Sequence, residues 1–378
     1  MNKSTVIFAA LALLAASCTK TEVVSCDAQG SQRGIGFSAY TAKPTKAAQT
    51  DVTTINFNSF EVTAIGNGAI YFDNVTFSRN DEDVWASTPL YFWPSYALDF
   101  YAYNTPAQGN GTFTRNIKTG AQTLTYSPAA ELANQEDLVV AYAKSKTESN
   151  ATSTKNSLAL TFNHYLTQVV VNAKCSNDGY KVKVSGVKLA NLAGEGTYTF
   201  STTDNTPGNM VATQDMVNSE TSSDYSSTFT AKPLTSSPQE VMTNDGTGKW
   251  YLVPQSFTAW NQATDKENDS NGTYLALKVI ITTAGGSAVY PYSGTESAWM
   301  AVPVPEALKF EQGKKYNVTV DFFSSTGNGA GYVDPEKPGE LDGVSSTDDS
   351  GKKIIGGAIK FDAKVSEWGN AVDITISL

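Results

Sequence analysis

The chain has 378 residues, with Lys+Arg 27 against Asp+Glu 37, a formal net charge of -10. That acidic balance argues against nucleic acid as a partner and against a basic membrane-binding patch. A single His, at position 164, and only three Cys leave no multi-histidine metal site and no disulfide framework, while the abundance of Tyr, Phe, Thr and Val suits strands.

Met1-Asn2-Lys3 precede an apolar block at 6–16, then Ser17-Cys18. One charge, a short apolar core and small residues read as a secretory leader. The block is too short to cross a bilayer, which takes about 20 apolar residues. A cysteine directly after Leu14-Ala15-Ala16-Ser17 makes it a lipoprotein leader. Residues 1–17 are then removed and Cys18 carries the acyl chains, each buried CH₂ contributing about 0.8 kcal/mol. The expectation is a protein outside the cytoplasm, tethered to a lipid surface. Residues 18–33 are polar and aperiodic, and read as the tether. Cys26 and Cys175 leave a disulfide open in an oxidising compartment.

Residues 34–42 alternate, with Ile35, Phe37 and Ala39 on one face and Ser38 and Tyr40 on the other, which predicts a strand. Lys43-Pro44-Thr45-Lys46-Ala47 breaks it and predicts an exposed loop. Strand patterns follow at 54–64, at 69–77 after an Asn67-Gly68 turn, and at 98–103. Those at 158–162 and 168–173 are placed near the end of a first unit spanning 34–176. The nearest approach to a helical period is 128–144, one short helix. A second unit, 177–323, opens with Val182 and Val184 inward and Lys181 and Lys183 outward. Residues 202–237 read as a long polar excursion. Further strands are expected at 250–253, 274–282, 288–292 and 316–322. Many short strands separated by turn signals mean an all-β sandwich architecture, used twice.

Residues 324–357 are rich in Gly and acid and read as a flexible arm. Beyond it, 358–378 forms two alternating runs joined at Trp368-Gly369-Asn370. Ile359, Phe361, Ala363 and Val365 make the first apolar face; Val372, Ile374, Ile376 and Leu378 make the second. A lone hairpin is marginal in water, so this one is expected to bury its apolar face on its own chain or on a neighbour.

Catalytic chemistry is not evident. His164 would share a strand face with Leu160 and Phe162, the position of a core histidine. No strand–Gly-x-Ser-x-Gly–helix context is present, and no helix follows Gly327-Asn328-Gly329-Ala330-Gly331 to make it a phosphate loop. Asp81-Glu82-Asp83 and Asp348-Asp349 read as solvated loop charge rather than calcium ligands. Glu195 reads as a turn residue. Six Trp residues, at 85, 93, 250, 260, 299 and 368, read as packing rather than as a sugar-stacking platform. Neither an enzyme nor a cofactor is expected.

Several segments taken together resemble the fimbrillin lipoproteins, pilins of the type V pili of Bacteroidales. These are the cysteine motif at Cys18, Gly36-Phe37-Ser38-Ala39-Tyr40, Tyr71-Phe72-Asp73-Asn74, Trp93-Pro94, Leu98-Asp99-Phe100-Tyr101-Ala102-Tyr103, Phe162-Asn163-His164-Tyr165, Tyr251-Leu252-Val253-Pro254-Gln255 and Gly313-Lys314-Lys315-Tyr316. The resemblance implies two transthyretin-like β-sandwich domains in tandem with a C-terminal strand appendage. It implies an outer-membrane lipoprotein, surface exposed, whose mature form lies in an extracellular fimbria serving cell adhesion. It implies cleavage in a loop by a trypsin-like protease, loss of the first strand, and a groove filled by the C-terminal strand of the next subunit. Here Lys46 is the better scissile residue, because Lys43 precedes proline; Ala47 would be the new N-terminus. Lys46 stands where family members often carry Arg. Val372, Ile374, Ile376 and Leu378 would be the donated face. The implied partners are other pilus subunits, in a homopolymer or mixed pilus, and the outer membrane through Cys18. A second reading is a tip adhesin or solitary surface lipoprotein binding a host glycan or protein.

Overall fold

Sequence alternation turns into one-sided burial where a strand has a solvent face. In Tyr180–Ala193, Val182 and Val184 are buried while Lys181 and Lys183 face solvent. The computed structural model describes residues 33–41, 57–81, 84–106, 111–204, 206–213, 222–261, 272–327, 329–336, 341, 349–368 and 370–376. Cys18, Cys26, Lys46, Ala47 and Leu378 lie outside them.

The first unit is a closed barrel. Its strands run in spatial order Gly36–Thr41, Trp85–Ala86, Ala69–Arg79, Ser59–Gly66, Leu98–Tyr103, Val139–Lys146 and Leu158–His164, and the last pairs back onto the first. The hairpin between Ser59–Gly66 and Ala69–Arg79 turns at Asn67 and Gly68, whose φ angles are +52° and +75°. That left-handed pair matches the right-handed twist of the strands, and Asn-Gly tolerates it best. Inside the barrel, Phe57, Phe60, Phe77, Phe100, Phe162 and Trp85 form an aromatic core.

The second unit is a larger, mostly antiparallel sheet. It runs Ser222–Pro233, Tyr180–Ala193, Tyr274–Thr283, Ala298–Pro303, Gly329–Val333, Lys353–Glu367, Lys314–Phe322, Thr167–Cys175 and Gln239–Glu240, with three short side strands. A four-stranded sheet, Asn209–Ala212, Gly196–Thr199, Ala121–Pro128 and Gly111–Lys118, draws two strands from each half of the chain. It joins the two units over a core that includes Tyr103, Tyr126, Tyr198, Tyr251 and Trp368. The fold is all-β, with two sheet units in tandem.

Five expectations are corrected. The 128–144 helix is a single 3-10 turn, Leu132–Asn134, followed by the strand Val139–Lys146. The run from Leu138 to Ala143 is buried throughout, as befits a strand covered on both faces, and this continuous apolar run mimicked a helix. The 202–237 excursion contains the strands Asn209–Ala212 and Ser222–Pro233. The strand expected at 168–173 as the end of the first unit pairs instead with Lys314–Phe322, in the large sheet. The 324–357 arm contributes Gly329–Val333, which pairs with Met300 and Ala301 on one side and with Lys353–Glu367 on the other. Finally, the first run of the 358–378 hairpin is not an appendage: Lys353–Glu367 is inserted in its own sheet between Lys314–Phe322 and Gly329–Val333.

Candidate assembly site: the opening and terminal strands

Gly36–Thr41 closes the barrel. It runs parallel to Leu158–His164, in register from Phe37 opposite Leu158 to Thr41 opposite Phe162. On its other side only Gly36 and Phe37 pair, antiparallel, with Ala86 and Trp85. Upstream, the Ile35 N–H donates to the Tyr91 carbonyl at 2.6 Å, and the Trp93 N–H donates to the Arg33 carbonyl at 3.0 Å. Ile35 and Phe37 are fully buried. The Phe37 ring meets Phe77 and Phe100 edge-on, at 4.8 and 5.2 Å between centroids. Ser38 faces the other way, its Oγ bonded to Ser153 at 2.8 Å. The strand therefore plugs an aromatic slot while being laddered strongly on one side only. Without it, the backbone edge of Leu158–His164 and the Phe60, Phe77 and Phe100 rings would meet water, both costly exposures.

The large sheet repeats this arrangement. Thr167–Cys175 runs parallel to Lys314–Phe322 as Gly36–Thr41 runs parallel to Leu158–His164. The difference lies in attachment. Thr167–Cys175 continues directly from the barrel through Tyr165 and Leu166, both buried.

The terminal strand, Asn370–Ile376, pairs antiparallel with the lower half of Lys353–Glu367, with Ile374 opposite Val365 and Ile376 opposite Ala363. Its other edge has no ladder partner among the described residues. The turn before it is anchored. The Trp368 N–H donates to the Gly313 carbonyl at 2.8 Å. Its ring lies between His164, at 4.3 Å and 5°, and Tyr251, at 5.5 Å and 9°. Lys315 Nζ sits 5.6 Å from the ring centre. A segment that swings outward would thus start after Trp368, later than residue 358, where the sequence pattern suggested. The sequence did not single out Trp368 as an anchor; it read there as one of six packing tryptophans and as part of the turn between two alternating runs.

His164 is the core residue expected of it. Its Nδ1 lies 2.6 Å from Asp137 Oδ2, with Asp137 fully buried, and the stack on Trp368 covers its face. The pair ties the end of the barrel to the turn that launches the terminal strand. His164→Ala is expected to lower stability by about 2 kcal/mol, from the lost charge-assisted hydrogen bond and the lost stack. A thermal melt of the purified chain checks it.

The remaining candidates within the described residues take part in packing or local pairing; Glu82, Asp83 and Asp348 lie outside them. All six Trp are buried. Glu195 holds a turn, accepting from Ser127 and Thr213. Asp349 pairs with Lys352 at 2.6 Å. Burial pushes the Cys175 thiol above its usual range, so it is a poor nucleophile. Among the described residues no group of three His, Cys, Asp or Glu could hold a metal, and no helix is long and apolar enough to cross a membrane.

The described residues form an all-β tandem with aromatic cores in both units. The chain is a member of the fimbrillin-like family, whose model matches residues 30–331. That family is structural and non-catalytic. Among solved structures, a fimbrial protein from Bacteroides vulgatus aligns at 16% identity over 89% of this chain and 99% of its own, with a TM-score of 0.51. It shares the fold. A candidate cell adhesion protein from Bacteroides uniformis aligns at 14% identity over 89% of this chain and 98% of its own, with a TM-score of 0.42. The fimbrial anchor protein Mfa2 from Porphyromonas gingivalis aligns at 11% identity over 76% of this chain and 90% of its own, with a TM-score of 0.28. No curated protein matches the chain.

Proposed function

We propose that the chain is a structural subunit of an extracellular fimbria, built from two transthyretin-like domains and polymerised by strand donation. It is exported to the outer membrane as a lipoprotein through Cys18. A trypsin-like protease cuts after Lys46, and Ala47 becomes the mature N-terminus. The opening strand then leaves, and the terminal segment of the next copy, bearing Val372, Ile374, Ile376 and Leu378, takes its place.

The observation that carries this reading is a complementary pair within one chain. The opening strand fills an apolar slot and is laddered along its length on one side only. The terminal strand has the same two-residue period and holds on by a single ladder. Four apolar side chains entering the slot contribute roughly 1.5–3 kcal/mol each. Ordering of the donated segment offsets part of that gain.

Lys46→Ala is expected to leave the opening strand attached and to block polymerisation. N-terminal sequencing of surface material checks it: a wild-type start at Ala47 supports the reading, and normal processing of the variant would place the cut elsewhere.

A tip adhesin is the second reading. An open groove of about 700 Å³ lies beside the edge strand Asn209–Ala212, lined in part by Val211, Phe257 and Phe310, with Val211 56% exposed. Selective binding on a glycan array, lost in Val211→Asp, would favour it. The terminal strand favours the stalk, since a tip has no strand to donate.

A further inference from the structure

Lys188 lies in the Tyr180–Ala193 strand, facing away from the core formed by Val187 and Leu189. Its side chain is only 2% exposed. The Nζ sits 3.0 Å from Asp334 Oδ2 and 3.4 Å from Asp334 Oδ1, and it donates to Glu336 Oε2. Asp334 has no exposure at all. The rings of Tyr274 and Trp299 stand 5.1 and 5.9 Å from the amine and wall the site, with Trp260 and Tyr332 packed in the same apolar cluster. A charged pair in so dry a place carries a heavy desolvation penalty. A reaction that removes both charges removes that penalty.

The carboxyl of Asp334 is held as an electrophile would be. Its Oδ1 accepts from the Tyr274 hydroxyl at 2.9 Å and from the Glu336 backbone N–H at 3.0 Å. Those two donors point at the oxygen on which negative charge would gather during attack at the carboxyl carbon. Oδ2, on the amine side, is the oxygen that would leave. Fixing both partners in contact replaces a bimolecular encounter with an intramolecular one.

We propose that Lys188 and Asp334 condense into an intramolecular isopeptide bond, with Glu336 as the proton carrier. Glu336 takes one proton from the Lys188 ammonium and passes it to Asp334 Oδ2. The neutral Nζ attacks the Asp334 carboxyl carbon, and a C–N bond forms while Oδ1 carries the charge between its two donors. A second proton moves from nitrogen to the Oδ2 hydroxyl. The C–O bond breaks and water departs, leaving a neutral amide with one N–H. Ammonium plus carboxylate gives amide plus water, so no oxidant, reductant or co-reactant is needed.

The electrostatics suit this role for Glu336. Burial pushes its carboxyl above the ordinary carboxylate range, against the pull of Lys188, which suits a group that must take a proton and pass it on. Burial works against charge on Lys188, but Asp334 and Glu336 outweigh it and hold the amine above its ordinary value. The resting amine is therefore an ammonium, and a base beside it is required.

The bond would link the Tyr180–Ala193 strand to the residue just past Gly329–Val333. It would bridge the two strands between them, Tyr274–Thr283 and Ala298–Pro303. Tension arriving through the last strands could then unravel nothing between residues 188 and 334. That mechanical use rests on the fimbrial reading; the bond itself does not.

Trypsin digestion and mass spectrometry of the folded full chain test the proposal. The expected result is one joined peptide containing both Lys188 and Asp334, uncut after Lys188 and lighter than the sum of its parts by one water. Asp334→Asn should join with loss of ammonia instead of water. Glu336→Gln, with its fold checked by circular dichroism, should remain unjoined. Recovery of separate Lys188 and Asp334 peptides from folded wild-type protein would overturn the proposal without touching the fimbrial reading.

Discussion

Deleting residues 370–378 is expected to abolish the ladder of polymers while leaving a folded monomer. The physical basis is the unequal hold on the two halves of the C-terminal ribbon. Lys353–Glu367 is paired with Lys314–Phe322 from Ile359 to Glu367, and with Gly329–Val333 along its first half. Ile359 and Ala363 are buried in the large core. Removing that strand would open the sheet. Asn370–Ile376 contributes one short ladder on one side, and Trp368 remains to cap the turn in its absence. The monomer therefore loses little, whereas the polymer loses the apolar face that would fill its neighbour's slot, four side chains at roughly 1.5–3 kcal/mol each. Gel electrophoresis without boiling reads the ladder, and a thermal melt reads the monomer. A ladder of unchanged length would remove strand donation from the account.

Phe37→Ala is expected to separate the precursor from the assembled subunit. In the intact chain Phe37 is fully buried against three other phenylalanines. Truncating a buried Phe to Ala costs about 3–5 kcal/mol, from lost transfer energy and the cavity left behind. The precursor should melt markedly earlier. Once the opening strand has been cut away, residue 37 is gone, and the polymer should melt as wild type does. Equal destabilisation of both forms would mean that Gly36–Thr41 never leaves.

How far the sequence could be read follows from where burial is one-sided. Lys314–Phe322 alternates in sequence, and Tyr316, Val318 and Val320 are buried while Asn317 is exposed, although Asp321 on the polar face is buried too. The opening strand was readable for the same reason at Ile35 and Phe37. Ser222–Pro233 was not, because among its described side chains only Tyr225 is buried; its place comes from pairing along Tyr180–Ala193. Gly329–Val333 looked like linker because glycine conceals its strand. There a Cβ on Gly331 would come within 2.5 Å of the Met300 sulfur, so the strand needs glycine to pack. Sequence also gave no hint of the Lys188, Asp334 and Glu336 cluster. Lys188 has no carboxylate near it in sequence, and only the tertiary fold brings a partner 146 positions away to its amine. The candidate assembly site was half visible: periodicity marked both strands, but nothing local told that Trp368 would be clamped between His164 and Tyr251.

Disulfide trapping in assembled fimbriae tests strand donation most directly. Ala159 lies opposite Ser38 in the opening ladder, and Lys364 lies opposite Thr375 in the terminal one. A chain carrying Ala159→Cys and Lys364→Cys, with a single third cysteine walked along 371–377, offers the terminal strand both addresses. The account predicts that the polymer links the third cysteine to position 159 of another copy. A link to position 364 of the same copy throughout, with none to 159, would contradict it.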